Sequence, residues 1–272
     1  MTLLNSDFQE DFFSTVKFIV SSQLRADILL SLFKSDNSIN NLKSELNKRP
    51  ENISRELRKL VEYGICEKKN KVYSLTSVGI LLVLQLNDLC EKCYYTNLNN
   101  EFWNSHSLKF IPEEFLVNID MWNEGELIES QEDFSLDVLE KNFNLLSSSK
   151  NISLILPFFL EDYFKLIINY LNENKGFLNL IINDEVFDLI KSTIFKEEFE
   201  NIKLKNNNFN IWIYSDKLEL SLLKCDDVAS LLLFNKDHTL DYHNMLISKN
   251  KNQFDKIDYI FKLYIRNSKH YL

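Results

Sequence analysis

The stretch Ser38–Leu75, SINNLKSELNKRPENISRELRKLVEYGICEKKNKVYSL, decides how the N-terminal part of the chain folds. Ile39, Leu42 and Leu46 recur at helical spacing and give a short helix with one apolar face. A second helix is expected over about residues 50–62. Pro50 is suited to its first turn, where an N–H would have no intrahelical partner. Within it Ile53, Leu57 and Leu60 stand at i, i+4 and i+7, a stripe that must face a core. At 100° per residue, Arg55 points almost directly away from that stripe, flanked by Glu51, Arg58 and Lys59, with Asn52 near the helix start. Gly64 is placed to end the helix. Beyond it, Ile65–Glu67 and Val72–Leu75 read as two short strands around the basic tip Lys68-Lys69-Asn70-Lys71.

Two helices joined by a tight break and followed by a basic hairpin make a winged helix-turn-helix. A helix with Arg and Asn on its open side suits the major groove, where Arg matches guanine and Asn matches adenine through paired hydrogen bonds. The residues expected to touch DNA are therefore Asn52, Arg55, Arg58 and Lys59 on the recognition helix, with Lys68, Lys69 and Lys71 on the wing. Charge separates this from an ordinary solvated face. Residues 38–71 carry nine basic and five acidic side chains, inside a chain of net charge −9. The plainer reading, with Glu51 and Arg55 simply pairing across one helical turn, stays open at this point.

The 272 residues suffice for two compact domains, and 45% hydrophobic content is that of a folded protein. No apolar run approaches the ~20 residues of a membrane span. The longest, Ile80–Leu86, is interrupted by Gln85. The start of the chain is acidic and lacks the basic region of a signal peptide. With four cysteines and no disulfide framework, a cytoplasmic location is expected. The four glycines are scattered, so the glycine-rich phosphate loops of NTPases and dinucleotide enzymes are not encoded.

The expected organisation is two-domain, α+β with α/β. A winged-helix domain with a dimerisation helix occupies 1–95, a connecting region 96–145, and an α/β effector or regulatory domain 146–272. Residues 7–34 supply two helices, the second over Leu24–Phe33. A long helix follows the wing from Thr76 or Ser77 toward Tyr95, apolar on more than one face at Ile80, Leu81, Val83, Leu84, Leu86 and Leu89. Such a helix is covered either by a second subunit or by the chain's own C-terminal domain. From Asn151 onward strand and helix alternate: ISLILPFF, a helix over FLEDYFKLIINYLNE, GFLNLIIN, and a helix over DEVFDLIKSTIFKEEFENI capped by Asp184. The strands FNIWIYS, LELSLLKCDD, VASLLLFN and MLISKN follow, then a closing helix over about 253–266. That order implies a mixed, mostly parallel sheet. Residues 100–272 carry 28 acidic against 18 basic side chains, so this half is not a nucleic-acid surface.

SSQLRADILLSLF, EFWNSHSLKFIPEEFL, LNLIINDEVFDLI and VASLLLFNKDHTLDYHNMLISKN occur in an order that resembles the archaeal helix-turn-helix regulators named after the methanogen filamentation regulator. The most specific part is the pattern Trp103, His106, Leu108, Ile111 and Pro112; Ser107 stands where the family tends to carry Asp. The resemblance implies a transcriptional regulator, with a C-terminal domain similar to a phospholipase-D-type half-domain. None of the four histidines is followed two residues later by lysine, so the H-x-K-x₄-D apparatus of that chemistry is missing and no enzyme is expected.

Trp103, His106 and Trp122 are the candidate walls of an effector pocket; a hydrogen-bonded structural histidine is the competing reading. Cys90 and Cys93 form a C-x-x-C that reads as core packing on the long helix rather than a metal or redox site. The stretch around Asp241, between His238 and His243, reads as a solvated turn. The expected partners are double-stranded DNA, a second copy of the chain and a small-molecule effector, with no cofactor and no metal. The alternative is a small-molecule-binding protein or enzyme that uses its winged helix only to dimerise.

Overall fold

A computed structural model describes residues 14–122, 124–130, 137–173, 176–193, 195–205 and 208–271. Of the first helix expected over 7–34, the part before residue 14 lies outside the described residues. The chain divides into two compact units, Met1–Glu91 and Lys92–Leu272.

In the first unit, residues 14–20 are helical (α1). They are followed by α2 (Gln23–Lys34), β1 (Asn37–Ser38), α3 (Ile39–Leu46), α4 (Pro50–Glu62), β2 (Cys66–Lys69) and β3 (Val72–Leu75). The helix ends follow local chemistry. The Ser22 and Ser38 hydroxyls accept from Arg25 N and Asn41 N, and Pro50 opens α4. Asn47 and Gly64 adopt positive φ just past α3 and α4. Ile53, Leu57 and Leu60 are fully buried with Ile28, Leu29, Leu32 and Leu42 in one core, as their spacing requires. The strands form an antiparallel sheet in the order β1-β3-β2. The hairpin is longer than the sequence suggests: pairing continues to Lys69↔Val72. Only Asn70 and Lys71 make the turn, both at positive φ, as a two-residue hairpin of matching twist requires.

The helix α5 (Ser77–Leu98) begins beside this sheet. Thr76 Oγ1 accepts from Gly79 N at 3.1 Å and donates to Gly64 O at 2.7 Å. A Cβ on Gly79 would lie 2.1 Å from Ile65 O, so only glycine allows this approach. Val83 and Leu86 are buried, whereas Ile80, Leu81, Leu84 and Leu89 are exposed. Cys90 and Cys93 are also exposed, which corrects the expectation that they pack in a core.

The second unit is built on one eight-stranded sheet, order β11-β7-β6-β5-β8-β9-β10-β4. Its strands are β4 (Glu126–Glu129), β5 (Asn151–Leu156), β6 (Phe177–Asn183), β7 (Phe209–Tyr214), β8 (Leu220–Lys224), β9 (Ala229–Leu233), β10 (Asn244–Ser248) and β11 (Ser268–His270). The sheet is mixed, but the expectation of mostly parallel pairing is corrected. Only β5–β6 and β6–β7 run parallel; the other five pairings are antiparallel. The connections explain this, because after β7 the links carry no helix long enough for a crossover until the last strand. Residues 96–145, expected to be a connection, belong to this unit and supply the edge strand β4.

Side chains alternate between the two faces. Leu154, Leu156, Leu180 and Ile182 face a core shared with α8 (Asp137–Ser147), α9 (Glu161–Asn172), α10 (Asp184–Lys191) and α11 (Phe195–Lys205). Ile155 and Ile181 face the other core, with Phe102 and Trp103 of α6 (Asn100–Ser105), Phe115 of α7 (Glu113–Val117), Trp122, and α12 (Phe254–Arg266). The single helix expected over 184–202 is two helices, α10 and α11. The cap of α10 is Asn183, whose side chain accepts from Val186 N at 2.9 Å, and not Asp184, which starts the helix itself.

Candidate functional site

Helix α4 presents the expected cations on the side opposite its buried stripe. The Arg55 side chain is 56% exposed and that of Arg58 72% exposed; Lys59 and Asn52 are half-buried. Arg58 pairs loosely with Glu62 at 3.9 Å, one turn along the helix. On the hairpin, Lys68, Lys69 and Lys71 are all exposed. Lys69 Nζ lies 2.8 Å from Glu67 Oε1, and Lys68 Nζ sits 5.3 Å from the centre of the Tyr73 ring. Helix and hairpin pack against each other, so both cationic elements belong to one small body.

A charged cluster beneath this surface escaped the sequence reading. Glu56, on α4, is only 4% exposed. Its Oε2 accepts from Arg25 Nη2 at 2.6 Å and Nε at 3.1 Å. Its Oε1 accepts from Lys59 Nζ at 3.1 Å and Arg55 Nε at 3.4 Å. Arg25, itself buried on α2, also donates to the Phe18 carbonyl, and its guanidinium stacks 3.8 Å from the centre of the Phe18 ring. Burial pushes the Glu56 carboxyl upward, but the hydrogen bonds from Arg25 and Lys59 outweigh it and hold the group below the usual carboxylate range. Arg55 therefore pairs with Glu56 and not with Glu51, as the plainer sequence reading had it.

In the second unit, Trp103, His106 and Trp122 are buried. The surroundings of His106 are the most specific. Its Nδ1 lies 2.5 Å from Phe102 O, and its Nε2 lies 2.9 Å from Asp241 Oδ2. The Ser105 hydroxyl also lies 3.2 Å from Nδ1. Asp241, expected in a solvated turn, is buried and also accepts from His243 N at 2.7 Å and Asn244 Nδ2 at 2.8 Å. Burial raises its pKa, yet these donors, His106 foremost, hold it below the usual range. The pair ties residues 102–107 to the segment after β9, where Ser107 N also donates to Phe234 O.

A cleft of about 390 Å³ opens at the carboxyl ends of the parallel strands β5, β6 and β7. Asn183, Asp184, Ser215, Lys217, Glu219 and His238 line it. Glu219 is buried; its Oε1 takes Lys217 Nζ at 2.5 Å and His238 Nδ1 at 2.7 Å, while its Oε2 has no partner among the described residues. His238 holds a positive φ of 68°. Among the described residues no group of three or more His, Cys, Asp or Glu side chains is arranged to hold a metal ion. No described helix is long and apolar enough to cross a membrane.

Comparison with known proteins places these two units. Residues 13–92 match the N-terminal domain of the methanogenesis regulatory protein FilR1, and residues 136–255 match its middle domain. The curated methanogenesis regulatory protein FilR1 of Methanothrix harundinacea is 25% identical over 244 residues, covering 86% of this chain. The chain spans about half the length of that relative, 52%. Among solved structures, TrmBL2, described as an archaeal chromatin protein with a novel mode of DNA binding, aligns with 89% of this chain and 91% of its own at 13% identity and TM-score 0.42. The phospholipase D family member Nuc from Salmonella typhimurium aligns with 54% of this chain and 97% of its own at 12% identity and TM-score 0.38. With the N-terminal and middle domains both present and in order, the chain belongs to the FilR1 family of regulatory proteins.

Proposed function

We propose that this chain is a DNA-binding transcriptional regulator whose first unit is a winged helix-turn-helix. In this reading α4 enters the major groove, Arg55 and Asn52 meet base edges, and Arg58, Lys59 and the hairpin lysines Lys68, Lys69 and Lys71 hold phosphates. The observation that carries it is the exposed cationic face of α4 beside a lysine-tipped hairpin, in a chain whose net charge is −9. Membership of a family of regulatory proteins supports the same reading. Residues 1–95 are assigned to DNA reading and 146–272 to regulation, with 96–145 completing the sheet of the second unit, all acting in the cytoplasm and without catalysis.

The test separates the two kinds of contact. Arg55→Ala is expected to weaken binding to a preferred duplex by about 1–3 kcal/mol while leaving random DNA little affected, and Lys69→Ala to weaken both alike. Fluorescence anisotropy on the two duplexes at low salt reads this difference. Equal loss on both duplexes in both variants refutes the division of labour.

A homodimer reading two half-sites completes the proposal, with the exposed Ile80, Leu81, Leu84 and Leu89 of α5 as the apolar surface a second copy covers. A small-molecule effector is assigned to the cleft at the carboxyl ends of β5–β7, the usual ligand position in open α/β sheets. Native mass spectrometry reads both points. Twice the 32.3 kDa chain mass, plus a dissociable small adduct, is expected. A bare 32.3 kDa monomer at micromolar concentration overturns both.

A further inference from the structure

Glu56 stands one residue after Arg55 and three before Lys59, and its two oxygens face different neighbours. Oε2 is taken by Arg25 of α2, at 2.6 and 3.1 Å. Oε1 receives Arg55 Nε at 3.4 Å and Lys59 Nζ at 3.1 Å. Among the described residues the terminal amino groups of Arg55 make no hydrogen bond. An arginine held by its Nε edge keeps its end-on pair of N–H groups open, and that pair can engage the O6 and N7 acceptors of guanine together.

We infer that Glu56 is a positioning residue for DNA reading. It is anchored from below by Arg25 and holds Arg55 and Lys59 in the orientation in which they meet the duplex. The inference rests on the DNA-reading function proposed above. Packing alone does not call for this arrangement, because two apolar side chains of similar volume hold neighbouring helices as well as a buried ion pair does. The gain comes from order present before DNA arrives. A long side chain fixed in advance does not lose its rotamer freedom on binding, which corresponds to about two- to tenfold in affinity. Burial keeps water from competing for Oε1, and the lowered Glu56 pKa leaves the tether charged at neutral pH.

The test uses the full chain. Wild type first selects a sequence from a pool of random duplexes; affinities for that duplex and for a scrambled one are then measured across salt concentrations. The double variant Arg25→Met/Glu56→Met exchanges the buried pair for apolar volume and removes the tether. It is expected to unfold at the wild-type temperature or above, while the ratio of selected to scrambled affinity falls about two- to tenfold. Arg55→Ala is expected to cost less in this background than in wild type by the same factor, the signature of coupling between residues 55 and 56. If the double variant does not fold, Glu56→Gln carries the same comparison, since the amide keeps the volume and one acceptor for Arg25. An unchanged ratio, or an Arg55→Ala loss equal in both backgrounds, overturns the inference. A wild-type chain that enriches no sequence overturns the DNA-reading proposal instead, so the two failures are told apart.

Discussion

Replacing His106 by alanine is expected to destabilise the Lys92–Leu272 unit by about 3–5 kcal/mol, the usual loss when a buried carboxylate is left without its partner. The imidazole is fully enclosed and bridges Phe102 O to Asp241 Oδ2. Without it the Asp241 carboxylate stays buried and loses its foremost donor, and a cavity of roughly imidazole size opens between Phe102 and the segment after β9. All three tryptophans, Trp103, Trp122 and Trp212, lie in this unit, so tryptophan fluorescence during urea unfolding reports on it alone. A shift below about 1 kcal/mol would show that the pair merely fills space.

The pH dependence follows from the same group. Asp241 is held below its unfolded value, so its contribution to stability is complete above the ordinary aspartate pKa of about 3.9 and disappears as pH falls through the lower folded value. Alanine at 106 removes much of that contribution. The variant is therefore expected to lose its tryptophan signal at a higher pH than wild type during acid titration.

Arg25→Ala is expected to cost the Met1–Glu91 unit a similar amount, about 3–5 kcal/mol, because Glu56 remains buried without its strongest partner. Lys59 and Arg55 still reach the other carboxylate oxygen, but both are partly exposed and do not replace a buried double donor. Helical signal lost in far-UV circular dichroism while the tryptophan signal of the other unit is unchanged reports on this unit. The paired variant Arg25→Met/Glu56→Met should recover the loss or exceed wild type, since desolvating two charges is no longer required. Failure of the pair to recover would mean that the site needs its hydrogen bonds and not only its volume.

Much of this fold was legible because local signals and tertiary packing agree. The stripe at Ile53, Leu57 and Leu60, Pro50 at the start of α4 and Gly64 beyond its end specify that helix without reference to the rest of the chain. The apolar runs of β5 and β6 announce strands buried on both faces, and both cores confirm it. What could not be read depends on partners distant in sequence. Strand direction after β7, the edge strand β4 and the His106–Asp241 pair, 135 residues apart, leave no local trace. Glu56 is the instructive exception. Arg25 falls in step with Ile28, Leu29 and Leu32, and Glu56 in step with Ile53, Leu57 and Leu60, so each charge occupies a core-facing position of its helix. Opposite charges in two such stripes are the signal of a buried pair. The thiols are the converse case: Cys90 and Cys93 continue the spacing of Val83 and Leu86, yet both are exposed.

The pairing of β4 with β10 sets an order of events during synthesis. Glu126–Glu129 leaves the ribosome more than a hundred residues before its partner Asn244–Ser248, and until then one border of the nascent sheet stays open. The first compact unit ends at Glu91, far ahead of that strand, and can close early. A newly made chain thus completes the part that bears the basic hairpin while the strand that closes the acidic second unit has yet to be made.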